Sequence, residues 1–204
     1  MEQSVAVSSP SETQAPTSGA GFWVRAGARI IDIVVHNLIW YVTAYLLGFA
    51  IYIFSVISGI PMSRILANVE STSISLTAFI LAIIGSIFYH AISEYMYGAS
   101  LGKLIFRLHV RNEDGQPISI KASLIRSFVF FIDGIFFGIV AYYNMQTSHL
   151  NQRLGDKWAK TIVVERSKLA PSQLPSGWRF LFAFTLSVVA DGFIAVVSNL
   201  LELL

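Results

Sequence analysis

Cysteine is absent from the 204-residue chain, which excludes disulfides, thiolate metal sites and thiol nucleophiles. Charge is scarce: 13% of the residues are charged and 54% are hydrophobic, whereas an ordinary globular domain is about a quarter charged. That balance belongs to a membrane protein. A net charge of +2 offers no basic surface for nucleic acid. Residues 1–20 hold no basic residue and no long apolar run, and a cleavable leader needs both. Rich in Ser, Thr, Pro and Gln, they read as a disordered cytosolic tail. No Ser-His-Asp order and no H-E-x-x-H spacing occurs. The stretch GASLGK at 98–103 lacks the spacing of a phosphate loop. An enzyme, a cofactor and a metal centre are therefore not expected.

Long apolar runs are what the chain has instead. Residues 38–60 and 74–93 carry no Asp, Glu, Lys or Arg, and about 20 residues of helix cross a bilayer core. Both read as spans. Residues 180–201 form a third, interrupted by Asp191 alone. Residues 127–143 are shorter and are broken by Asp133-Gly134.

Basic residues in short connections mark the cytosolic side. The loop at 59–73 holds only Arg64, and the one at 97–126 holds Lys103, Arg107, Arg111, Lys121 and Arg126. With Arg25 and Arg29 before the first span, the N-terminus is expected inside. The stretch from Arg153 to Lys168 is basic as well, so a full third crossing would put it outside. Segments 105–111 (IFRLHVR) and 161–166 (TIVVER) read as short strands, and EDGQ after the first as a turn. Pairing of the two would cover their edges and requires a common side. The expectation is a broken, re-entrant or interfacial helical hairpin over about 120–145, bent near Asp133-Gly134. The fold class is then an all-α integral membrane protein: a helical bundle with a small cytosolic two-strand element and this broken third hydrophobic hairpin. Residues 166–178 would be a linker, and 179–204 an extra C-terminal transmembrane helix.

Arg25, Arg29, Asp32 and His36 recur at helical spacing and share a face, as do His90 and Glu94. Pairing of Arg29 with Asp32, of Arg25 with Glu94, and of His36 with His90 through water is geometrically open. Ionisable residues inside a membrane mark ion or proton pathways; at headgroup level the same residues would be a structural clasp. Asp191 has no visible mid-membrane partner and is either a locally bonded acid or a proton site. Asp133 is a cap or a site. His109 and His149 look like surface residues.

Arg25-x-x-Ala28-x-x-x-Asp32 resembles the opening signature of the RDD family of bacterial membrane proteins. GASLGKLIFRLHVRNEDGQPISIKASLIR at 98–126 is similar to that family's middle block. QRLGDKWAKTIVV at 152–164 is similar to its closing motif. The resemblance covers about 21–165 and makes Arg25, Asp32 and Asp156 the family's named charges, with Asp156 placed to neutralise Arg25 or Arg153. Lys160 stands where the family usually has a small residue. What the resemblance implies is a multi-pass protein of the bacterial inner membrane, with sodium or potassium/proton exchange as one option. In that reading Asp32, Glu94 and Asp133 bind a monovalent cation or proton with Arg25 as internal counter-ion. His36, His90 and Asp191 are further candidates, and Arg29, Lys103, Arg126 and Arg153 give support. The alternative is a non-transporting scaffold or accessory subunit whose charges lock the bundle. Either reading has the lipid bilayer as partner and a homo-oligomer or membrane complex as the assembly.

Overall fold

Phe22–Ser58 form one unbroken helix, α1, of 37 residues. The structure is a computed structural model and describes residues 16, 18–66, 76–134 and 138–202. At 1.5 Å per residue α1 is about 55 Å long, far more than the roughly 30 Å of a hydrocarbon core. The expected first span, 38–60, is thus only the distal part of a longer helix. Nothing between Phe22 and Leu38 breaks the helical pattern, so Arg25, Arg29, Asp32 and His36 ride on the same rod. The helix stops at Gly59, whose φ of +70° makes a left-handed cap.

A single turn, α2 (Met62–Ile65), precedes α3 (Leu76–Tyr97). After α3 come α4 (Leu101–Ile105), β1 (Leu108–Asn112), α5 (Ile120–Asp133), α6 (Ile139–Gln146), α7 (Leu154–Ala159), β2 (Thr161–Glu165) and α8 (Gly177–Glu202). Among the described residues, three helices are long and apolar enough to cross a membrane: α1, α3 and the C-terminal stretch containing α8. Ser93 Oγ donates to Ser187 Oγ at 3.0 Å, and the Tyr97 and Phe180 rings meet edge to face, so α8 runs antiparallel to α3. Against α1 it runs parallel, with Asp191 opposite His36 and Trp40 and Gly192 against Ile39 and Thr43.

The third hydrophobic segment is broken where its sequence breaks. Asp133 ends α5, and α6 starts beyond Gly138, a glycine at φ +86°. Fourteen and eight residues are each too few to cross a bilayer core. The start of this hairpin and the end of α7 meet in one hydrophobic cluster, in which Ile118 and Ala122 pack with Leu108, Val110 and Val163, and Ala159 lies against them.

β1 and β2 pair antiparallel, with Val110 opposite Val163. The strand expected at 105–111 is three residues late, because Leu101–Ile105 is helical and Arg107 turns the chain at φ +54°. The EDGQ turn forms, with Gly115 at φ +83° and the Asp114 carboxylate accepting from the Gln116 N–H. Two expectations need correction. His109 is 3% exposed rather than on the surface, because β1 is covered on both sides and the ring packs on Tyr97. The expectation of a disordered tail over 1–20 is corrected at Gly19 and Ala20, which are bonded to the rest of the chain. Residues 1–15 and 17 lie outside the described residues, but Ala20 N–H donates to Val163 O at 2.7 Å and Gly19 O accepts from Asn151. The first bond joins the chain to β2, and the two together hold it just before α1. His149 is exposed, as expected. The segment expected as a linker holds two 3-10 turns, Arg166–Lys168 and Pro171–Gln173.

Candidate functional site

Polar side chains form three clusters, two of them where the bundle meets the ribbon. Arg126 of α5 is the centre of the first. Its side chain is fully buried; Nε donates to Glu94 Oε2 at 2.8 Å, and Nη1 reaches both Asp156 Oδ1 and, at 2.6 Å, Thr161 Oγ1. Lys103 Nζ takes the other oxygen of Glu94. Arg25 Nη2 takes Asp156 Oδ2 at 2.5 Å, and Arg25 Nη1 donates to Asn151 O at 3.1 Å. Arg153 Nε lies 3.4 Å from Asp156 and 3.7 Å from Asp133. Opposite charges thus alternate through Lys103, Glu94, Arg126, Asp156, Arg25 or Arg153, and Asp133. The chain ties α4, α3, α5, α7 and α1 into one knot.

Burial alone would push the Asp156 carboxyl up, but the guanidiniums of Arg25, Arg126 and Arg153 outweigh it and hold the group well below the ordinary carboxylate range. Asp133 goes the other way: burial raises it, with only partial relief from Arg153 and from the Leu154 and Gly155 N–H groups, each 3.2 Å away. Those two N–H groups open α7, so Asp133 caps a helix of another segment.

Asp32 anchors the second cluster. It is 1% exposed and accepts from Ser100 Oγ at 2.6 Å, from the Gly102 N–H at 2.8 Å and from Tyr89 OH at 3.3 Å. It therefore holds the start of α4, and the GASLGK stretch has a structural purpose. A Cβ on Gly102 would run into the Ala28 carbonyl and the Asp32 carboxylate. Arg29 does not pair with Asp32. Its Nη1 reaches His90 Nε2, its Nη2 donates to Ser86 Oγ at 3.4 Å, and its guanidinium lies 3.8 Å from the Phe130 ring centre. Because His90 Nε2 accepts from Arg29, its Nδ1 carries the proton and faces Asp32 at 3.9 Å.

The third cluster lies farther along the helices. His36 Nδ1 and Asp191 Oδ2 are 2.7 Å apart, and Trp40 Nε1 donates to Asp191 Oδ1 at 3.0 Å. His36 and Asp191 each stand fourteen residues from the first residue of their helices, roughly 21 Å at the helical rise. Gly85 of α3 lets them close: a Cβ there would collide with the Asp191 carboxylate.

The sequence pairings of Arg25 with Glu94 and of His36 with His90 are corrected. Arg25 belongs to Asp156, Glu94 to Lys103 and Arg126, His36 to Asp191 and His90 to Arg29. The lack of a partner for Asp191 is corrected too, because α8 lies parallel to α1 and meets His36 at matching depth. Both cations foreseen for Asp156, Arg25 and Arg153, are bound to it. The named trio divides: Arg25 and Asp156 meet, while Asp32 serves α4. Tyr89, Ser100, Gly102, Asn151 and Thr161 escaped the sequence reading. Trp40 escaped it as well, although it follows His36 by one helical turn. Among the described residues, no group of three or more His, Asp or Glu is placed to hold a metal ion.

No solved structure matches the chain. An uncharacterized Bacillus subtilis (strain 168) protein, YxaI, is 25% identical over 123 residues, covering 59% of this chain and 81% of that one. The family model described as RDD family matches residues 19–160, a stretch that takes in every charged residue of the first two clusters and leaves Asp191 and α8 outside. On that match the chain belongs to the RDD family.

Proposed function

We propose that the protein is a multi-pass protein of the bacterial inner membrane, with a cytosolic N-terminus, that takes part in exchange of sodium or potassium for protons. The observation that carries this reading is the couple of His36 and Asp191, 2.7 Å apart, between two helices of membrane-spanning length. An aspartate there is expensive unless it serves or is partnered, and imidazole can take up a proton at one ring nitrogen and release one from the other. A cavity of about 170 Å³ reaches from His36 past Ser86 to Asp32. It supplies a route from the couple toward the carboxylates of the ribbon end, with Arg25 and Arg29 as fixed counter-charges. Orientation follows from the basic residues gathered at that end, among them Arg107, Arg153, Lys157 and Arg166, which favour the cytosol. Three spans enclose little pore, so a homo-oligomer or a membrane complex is part of the reading.

Proteoliposomes holding a pH-sensitive dye test it. Wild type should couple an imposed sodium or potassium gradient to proton movement, and Asp191→Asn should remove the coupling while His149→Gln keeps it. Absence of coupled flux in wild type at either gradient polarity overturns the proposal.

A second reading is a non-transporting scaffold or accessory subunit. Its support is that Asp32, Glu94 and Asp156 each hold two or more protein donors. Stable co-purification of one membrane partner from native membranes, with no flux, is its expected outcome.

A further inference from the structure

We propose that the cavity walled by Arg29, Lys103, Arg153 and Ser127 binds a monovalent anion of halide size, chloride in the cell. The site holds whether or not the protein moves cations. Its volume is about 40 Å³, room for about two or three water-sized groups and too little for a phosphate or an organic acid.

Charge points to an anion. The guanidiniums of Arg25, Arg29 and Arg153 and the ammonium of Lys103 line the cavity, against the carboxylates of Asp32 and Glu94. Directly bonded behind them are one more cation, Arg126, and two more carboxylates, Asp156 and Asp133. The knot with Asp32 therefore holds five cations and four carboxylates. His90 accepts from Arg29 and adds no charge. His36 and Asp191 pair with each other, and neither lines this cavity. An uncompensated buried cation is costly, and one negative ion removes the excess.

Hydrogen bonding points the same way. Ser127 lines the cavity at 6% exposure, and its Oγ has no partner. Arg29, also in the wall, has a buried and unpartnered Nε, and so has Arg126 at Nη2 behind the wall. All three can donate, and the two nitrogens can do nothing else. The carboxylates already hold their donors. The surplus is of N–H and O–H groups, which suits a ligand that only accepts. Phe130 forms part of the wall, which favours weakly hydrated chloride and bromide over fluoride.

Chloride-35 NMR linewidths and thermal melting of the full chain in detergent, in chloride against gluconate at one ionic strength, test the site. Chloride and bromide should raise the melting temperature saturably and broaden the resonance; sulfate and gluconate should not. Ser127→Ala, which breaks no protein hydrogen bond, should weaken the chloride dependence about tenfold or more and leave melting in gluconate unchanged. Ser127→Thr, which keeps the hydroxyl, should retain it. Equal melting in both salts with no broadening in wild type would mean water alone and would overturn the site. A chloride effect undiminished in both Ser127→Ala and Arg29→Lys would put the ion elsewhere and overturn it equally.

Discussion

Arg126 Nε stands 2.8 Å from Glu94 Oε2, and neither side chain is more than 2% exposed. Such a pair adds little over a well-packed apolar pair, yet removing one partner alone strands a charge in low dielectric. The asymmetry makes the knot a device for specifying one arrangement of α1, α3, α5 and α7. Lys103 on Glu94, and Arg25 and Arg153 on Asp156, keep every carboxylate matched.

Asp156→Asn should therefore destabilise the fold by about 3–5 kcal/mol, a fall of the order of 10 °C in melting temperature for a chain of this size. Three guanidiniums lose their shared carboxylate at once. The double variant Asp156→Asn with Arg25→Gln should lose less than the two single losses together, because the second change removes a stranded charge. Melting in detergent measures both. Strict additivity would mean that Arg25 and Asp156 do not act as a pair.

Acid should unfold the protein in two stages. His109 is pushed down to about 3 by burial first and by Arg111 and Arg166 next; unfolded, it titrates near 6.5. Between those values the unfolded chain binds more protons, so stability is intact above about 6.5 and falls as pH drops toward about 3. Asp156 is also depressed. Its contribution is present above the unfolded value of about 3.9 and is lost only below it. His109→Phe should lower the slope of the melting temperature between pH 6 and 4 by the share that this histidine carries. It should leave the collapse below pH 4. A slope in that window unchanged by the substitution would assign it to another group.

Gly102→Ala tests the seat of Asp32. The new methyl would meet backbone at Ala28 and the carboxylate it is bonded to, neither of which yields as a flexible side-chain tip would. Overpacking of this kind costs about 1–3 kcal/mol, and α4 should lift away from α1. An alanine variant that melts with wild type would show that α4 is not held this closely.

Much of this was legible in the sequence, and the limits have physical causes. Hydropathy found the three long helices, because a bilayer demands length and apolarity in any fold. Asp133-Gly134 announced the break in the third segment, and alternation announced the ribbon. Charge pairing was legible only within a helix. Arg25 and Asp156 are 131 residues apart, and no local spacing chooses Asp156 over Glu94. His36 points to His90 rather than to Asp191 in the sequence, because no local spacing shows that α8 lies parallel to α1. Asp191 therefore has no visible partner there. His109 looked exposed because a single polar residue in a strand reads as its wet face, and here both faces are covered.

Lys160 gives the test closest to the sequence. It follows α7 with φ 51° and ψ 51°, a left-handed conformation that costs an L-residue roughly 1–2 kcal/mol and glycine nearly nothing. The side chain is exposed and contributes no packing to offset that cost. Its backbone is occupied, with the N–H donating to Lys157 O and the carbonyl accepting from Glu113, so a residue of the right conformation is required and its side chain is not. A small residue at this point is what the family resemblance led one to expect. Lys160→Gly should gain the relieved strain less the extra freedom of glycine in the unfolded chain, about 0.4–1 kcal/mol, leaving a net gain of roughly 0.5–1 kcal/mol. Lys160→Ala keeps the Cβ and should gain nothing, and Lys160→Val should lose. The order Gly above Lys and Ala, with Val last, is read from melting temperatures in one detergent. A glycine variant less stable than wild type would mean that the chain does not turn left-handed between α7 and β2, and Asp156 would then lose the geometry that brings it to Arg25.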